Sequence, residues 1–160
     1  RLAWGKTLNS GQTCIAPDYL FVHKSVKEAF KKAFQEELKK MHGEDVEKSL
    51  HYVRLVNDRA FDRVLSYMDD GDVVVGGRSN RDTRYIEPTL IENVAMDSPL
   101  MTEEIFGPIF PLHELEGVSF VPTKPAAPRY SPKTVSASTL EFLMVPLLYP
   151  TRPAEFSFIE

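Results

Sequence analysis

Residues 9–18 read N-S-G-Q-T-C-I-A-P-D, and the apolar run Tyr19-Leu-Phe-Val22 follows without a break. Upstream, Leu2, Ala3, Trp4 and Leu8 read as the end of a helix. Gly11 stops it, because glycine takes backbone conformations closed to other residues. Downstream, Tyr19 to Val22 is long enough for a buried strand. The stretch thus carries the chain from a helix through a glycine turn into a strand, and it holds the only cysteine, Cys14.

The same alternation continues. Ser25 with Glu28 three residues later has the capping-box pattern, so a helix is expected from Ser25 to Gly43. Val26, Ala29, Phe30, Ala33, Phe34, Leu38 and Met41 fall on one face of it at helical spacing, with lysines and glutamates on the other. A second helix is expected after Asn57, a good cap residue, with Phe61, Val64, Leu65 and Met68 as its apolar stripe. Asp69-Asp-Gly-Asp72 breaks it, and Val73-Val-Val75 reads as a strand closed by Gly76-Gly77. Arg78 to Arg84 reads as a polar loop. Tyr85-Ile86 and Thr89-Leu-Ile91 are strand-like on either side of Pro88. Met101 to Phe106 has room for one helical turn, stopped by Gly107-Pro108, and Ile109-Phe110 with Leu112 forms a last short strand. Helices alternating with apolar strands predict an α/β fold, a mostly parallel sheet with flanking helices.

Bulk properties narrow the function classes. The 160 residues suit one domain, and 42% apolar with 26% charged residues is ordinary for a soluble globular chain. A net charge of −4 offers no attraction to nucleic acid or an anionic membrane. One cysteine excludes an internal disulfide framework. No apolar run approaches a membrane span and no signal segment opens the chain, so a cytoplasmic location is expected. Near Gly117 the character changes: seven of the 12 prolines lie beyond it. Pro146 and Pro150 interrupt the longest apolar stretch there, so residues 115–160 are expected to form an irregular tail.

Two stretches carry candidate chemistry. A thiol becomes a nucleophile when its pKa falls below the free value of about 8.5, or when a base takes its proton. Small residues around Cys14 would let backbone amides converge near the sulfur, and the amide of Cys14 itself could donate to an oxyanion. The competing readings are a buried, inert cysteine and a papain-type thiol, whose small-residue and aromatic signature is absent. None of His23, His42, His51 and His113 has a local claim to partner the thiol, and their spacing makes no metal site. Solvated or capping roles are expected for them. Gly76-Gly77 lacks the dinucleotide fingerprint. The second stretch is Glu103-Glu-Ile-Phe-Gly-Pro108, where a carboxylate and an aromatic precede a Gly-Pro stop. Either it presents both side chains to a ligand, or it is a helix end with the glutamates in solvent and Phe106 in the core.

Taken together, these residues carry a resemblance. G-Q-T-C-I-A-P-D at Gly11 to Asp18 resembles the active-site cysteine loop of the aldehyde dehydrogenases. E-E-I-F-G-P-I at Glu103 to Ile109 is similar to that family's cofactor-side motif, and R-Y-I-E-P-T at Arg84 to Thr89 resembles a further landmark. Cys14 and Glu104 lie 90 positions apart, which suits the class 3 branch, acting on fatty and aromatic aldehydes. The resemblance implies that residues 1–114 are part of the family's catalytic α/β domain. It implies that Cys14 attacks an aldehyde carbonyl to give a thiohemiacetal, that hydride passes to NAD or NADP, and that water hydrolyses the thioester. It assigns Glu104 to the nicotinamide ribose and Phe106 to the nicotinamide ring.

The departures shape the expectation. The family's nucleotide-binding domain, its general-base glutamate and its oxyanion-hole asparagine all precede the cysteine and are not among these 160 residues. Thr7 replaces the usual aromatic or aliphatic residue. Residues 115–160 do not resemble the family, as a frame change, a retained intron or an erroneous gene model would produce. The chain alone is therefore expected to be inactive. The alternative is a catalytically silent truncated product or an interaction module. Family members are oligomeric, and the uncovered apolar faces of this piece are expected to favour aggregation or a partner.

Overall fold

The computed structural model describes residues 1–116. Its frame is a four-stranded mixed sheet with helices on both faces. The strands are β1 (Leu20–His23), β2 (Asp72–Val75), β5 (Thr89–Glu92) and β6 (Ile109–Leu115), in the order β1-β6-β5-β2. β6 runs parallel to both β1 and β5, whereas β2 joins β5 antiparallel. The expected mostly parallel sheet is thus present, with one reversed edge. The reversal follows from the connection. Parallel neighbours need a crossover, usually a helix, whereas residues 76–88 fold back as a small hairpin of β3 (Ser79–Asn80) and β4 (Tyr85–Ile86). That hairpin corrects the expected loop at Arg78 to Arg84.

Side chains on successive strand residues point to opposite faces, and the core divides accordingly. Leu20, Val22, Leu90, Phe110 and Leu112 meet Phe30, Phe34 and Leu38 of α2 (Lys27–His42) and Ala3 of α1 (Leu2–Thr7). Ile91 and Ile109 face Phe61 and Val64 of α3 (Asp58–Ser66), Leu100 and Met101 of α4 (Pro99–Thr102), and Ile105.

Several local expectations are corrected. α2 starts at Lys27 without a side-chain cap. Ser25 instead shares a 2.8 Å hydrogen bond with Nδ1 of His23, and Glu28 pairs with Lys31 at 2.6 Å, so the capping box does not form. Ala29 and Ala33 are exposed, whereas Phe30, Phe34 and Leu38 are buried against the sheet and Val26 and Met41 pack at the margin of that cluster. The turn expected at Met101 to Phe106 lies earlier, where Asp70 accepts from the Leu100 amide and caps α4. β6 continues through Pro111, which sits where the strand leaves the β5 ladder and takes up β1, so its missing N–H removes little pairing. Asn57 does cap α3, accepting from the Ala60 amide at 2.8 Å. The expected irregular tail lies outside the described residues, as does most of residues 115–160.

Candidate functional site

The three motif stretches converge because of strand direction. Residues 12–19 lead into β1, Glu103 to Pro108 into β6, and Glu87-Pro88 into β5, and these three strands are mutually parallel. Each loop therefore arrives at the amino ends of its strand. Ligand sites in open α/β sheets commonly sit at the carboxyl ends, so the gathering here depends on the loops themselves. Thr89 N–H donates to the Pro108 carbonyl at 2.9 Å, joining two of the stretches.

The cysteine loop leaves α1 through a 3-10 turn, Leu8–Gly11. Asn9, Ser10 and Gly11 are all left-handed, with φ of 49°, 53° and 72°. Each non-glycine residue held there costs about 1–2 kcal/mol, which the side chains of the loop offset. Asn9 Nδ2 donates to the Gln12 carbonyl, and Gln12 Nε2 donates to the carbonyls of Asn9 and Arg54. Gln12 Oε1 accepts from the Val56 amide at 2.9 Å, and the Ser10 hydroxyl donates to the Val53 carbonyl. Beyond the turn, the buried Lys6 donates to the Pro17 carbonyl at 2.8 Å. Between these anchors, the Ala16 amide bonds the Thr13 carbonyl, and Cys14 sits exposed on the resulting turn. The exposure rules out burial for this thiol.

The second loop meets the first through two glycines. A Cβ on Gly11 would lie 2.2 Å from the Gly107 carbonyl oxygen, and a Cβ on Gly107 would lie 2.4 Å from Cγ1 of Val64. Neither position tolerates a side chain. Phe106, immediately before Gly107, has φ of 45° and is 38% exposed, while Ile105 is 1% exposed. The core role weighed for Phe106 in the sequence thus belongs to Ile105. A bulky residue held at positive φ stores on the order of 1–3 kcal/mol and persists only where its surroundings over-determine it. Glu103 and Glu104 are exposed, and the Tyr67 hydroxyl donates to Glu103 Oε2 at 2.8 Å. Burial, then that bond to Glu103, pushes the Tyr67 phenol up to about 12.

Sequence reasoning missed Arg63, whose guanidinium donates to the carbonyls of Glu104 (3.2 Å) and Ile105 (2.8 Å). It also missed Gln12 and Ser10 as anchors, since their partners lie 42 to 44 positions away. The contacts of His23, His42 and His113 lie with other residues than the cysteine loop. His23 bonds Ser25, His42 packs on Tyr52, and His113 packs on Phe21 with Nε2 3.3 Å from Met101 Sδ. His42 and His113 are thus packed rather than solvated or capping. Among the described residues, no group of three or more His, Cys, Asp or Glu could hold a metal, and no helix is long and apolar enough to cross a membrane.

Comparison with known proteins agrees in direction. Residues 1–119 match the Aldehyde dehydrogenase family. Over 112 residues the chain is 44% identical to a Bos taurus protein named "Aldehyde dehydrogenase, dimeric NADP-preferring", covering 70% of this chain and 47% of that one. Over 131 residues it is 43% identical to "Aldehyde dehydrogenase family 3 comG" of Dictyostelium discoideum, covering 79% and 28%. The solved substrate-bound state of Staphylococcus aureus AldH superposes with a TM-score of 0.69 at 42% identity, covering 72% of this chain and 26% of that one. The chain therefore spans between about a quarter and a half of the length of these relatives.

Proposed function

The chain belongs to the aldehyde dehydrogenase family, and from that premise we propose that it carries the nucleophile and the nicotinamide-side contacts of an aldehyde-oxidising site. The thiolate of Cys14 attacks the aldehyde carbonyl carbon, a C–S bond forms, and the carbonyl oxygen becomes an oxyanion that the Cys14 amide stabilises. A nicotinamide, when bound, would accept hydride from the thiohemiacetal carbon as the oxyanion re-forms its C=O, which would leave an acyl group on Cys14. Water then cleaves that thioester, its OH going to the acyl carbon and its other proton to the sulfur, which releases the carboxylic acid and the Cys14 thiol.

Glu104 and Phe106 suit NAD or NADP on the chemistry of their exposed groups. A carboxylate can accept from both ribose hydroxyls, and an exposed ring offers an apolar face to the nicotinamide. The observation that carries the reading is the contact of Gly11 with Gly107. It sets the cysteine loop against the Glu104–Phe106 loop, and Cys14, three residues on, lies within about 11 Å of Gly11 by chain reach. The class 3 branch is supported by the 90-position spacing and by the family 3 name of a relative, which favours fatty or aromatic aldehydes. Residues 1–114 are proposed as the family part, and the family match itself runs over residues 1–119. Because the matched stretch covers only 47% of one relative and 28% of the other, the 160 residues alone are proposed to lack aldehyde oxidation.

Hydrolysis of p-nitrophenyl acetate tests the thiol half without a cofactor. Attack by Cys14 expels p-nitrophenolate, and an acetyl adduct on Cys14 is expected by mass spectrometry, absent in Cys14→Ser. An equal rate in Cys14→Ser with no adduct would defeat the assignment. A second reading, a silent module that docks on another polypeptide, is favoured by the exposed apolar side chains of Trp4 (60%), Ile15 (52%) and Val56 (70%). Size-exclusion chromatography separates the two, since a sharp monomer peak at high concentration contradicts the docking module.

A further inference from the structure

The loop from Glu103 to Gly107 is held at almost every residue by α3 and the turn that follows it. The Arg63 guanidinium takes the carbonyls of Glu104 and Ile105, and Tyr67 takes the Glu103 carboxylate. Val64 closes over Gly107, and the Ile105 side chain is in the core. What projects is the Glu104 side chain and the Phe106 ring, both exposed. Arg63 also donates to the Tyr67 hydroxyl at 2.5 Å and lies over the Tyr67 ring, 5.3 Å from its centroid. Its fork is therefore aimed from one side by Tyr67 and engaged on the other by two successive carbonyls.

We propose that Arg63 is a positioning residue, whose guanidinium fork sets where the Glu104 carboxylate and the Phe106 ring project toward a ribosyl-nicotinamide ligand. The proposal rests on the reading of Glu104 and Phe106 given above. Arg63 acts through the backbone of the loop. Its planar, pre-organised donors can hold two carbonyls at once, and its charge strengthens both bonds. Lysine carries a single ammonium on a flexible stem, so it can replace one of these bonds but not the fixed angle between them. Without the fork, the carbonyls of Glu104 and Ile105 lose their bonds to α3, and the left-handed backbone of Phe106 can relax.

Hydrogen exchange by mass spectrometry on the 160-residue chain separates positioning from general bracing. In Arg63→Ala, exchange in the 103–108 peptide is expected to accelerate at least tenfold, with peptides from β1 and α2 unchanged and Arg63→Lys intermediate. Wild-type exchange in 103–108, or equal acceleration across β1 and α2, would overturn the proposal. Fluorescence titration with reduced nicotinamide mononucleotide gives the second readout. Arg63→Ala is expected to bind at least tenfold more weakly than wild type, and equal binding would also overturn it. If the wild-type chain does not bind this nucleotide while exchange changes only in 103–108, the nucleotide reading of Glu104 and Phe106 fails and the positioning of the loop by Arg63 stands.

Discussion

Gly11 and Gly107 lie 96 positions apart, yet a methyl group on the first would overlap the carbonyl oxygen of the second at 2.2 Å. This contact locks the turn before Cys14 to the residue after Phe106. Gly11→Ala is expected to destabilise the chain by more than about 2 kcal/mol, combining a left-handed backbone cost with backbone overlap. Gly43→Ala is the control, because it shares a positive φ but would meet nothing within 4 Å. Its φ of 85° and ψ of −177° are nearly glycine-only, so it should cost about 1–3 kcal/mol from backbone strain alone. Urea denaturation of both variants measures the difference, and equal losses would remove the contact's significance.

Cys14 is exposed on its turn. Cys14→Ser should therefore leave stability within about 0.5 kcal/mol of wild type, while iodoacetamide labelling disappears. A large drop in thermal midpoint would mean that the thiol packs rather than projects.

Lys27 joins α2 to both Glu92 (3.1 Å) and Glu114 (2.8 Å), and Lys31 reaches Glu92 at 3.2 Å. The bond from Glu114, then that from Glu92, holds the Lys27 ammonium above its usual range, and Lys27 holds the Glu114 carboxyl below its own. The carboxylate contribution is present above about pH 4.3 and lost as pH falls through the depressed value. The lysine contribution is present below about pH 10.4 and lost as pH rises through the elevated one. The melting-point deficit of Lys27→Met should accordingly be widest between these limits and narrow at both ends. A deficit constant from pH 3 to 11 would assign the effect to lost packing.

Burial holds the His113 imidazole below its ordinary range. The unfolded chain takes up this proton near pH 6.5, and the folded chain only at lower pH. Its contribution is therefore whole above about pH 6.5 and declines as pH falls toward the folded value. His113→Leu, placed between Phe21 and Met101, should flatten the fall in thermal midpoint between pH 7 and 5. An unchanged slope would move the acid sensitivity to other groups.

Much of this architecture was legible along the chain. The stripes of Phe30, Phe34 and Leu38 and of Phe61 and Val64, and the cap at Asn57, are local patterns in which spacing alone sets which side faces the sheet. Cys14, Glu104 and Phe106 stood out through their flanking glycines and prolines and through the family they resemble. The hairpin at Ser79–Asn80 did not, because its pairing with Tyr85–Ile86 joins short polar residues that have no apolar alternation. Nor did the exposure of Phe106 in place of Ile105, since neighbouring apolar residues in an irregular loop give no period to choose between them.

The amino-acid order by itself determined the main helices and the apolar strands, and which short stretches carry a thiol, a carboxylate and a ring, because these depend on residues a few positions apart. Only the tertiary structure decided that those stretches meet. Parallel pairing of β1, β6 and β5 brings their amino ends to one edge. Close approach at Gly11, Gly107 and Val64 and the Arg63 fork then hold the loops together there. Those contacts span 41 to 96 positions, a separation at which neither periodicity nor propensity carries a signal.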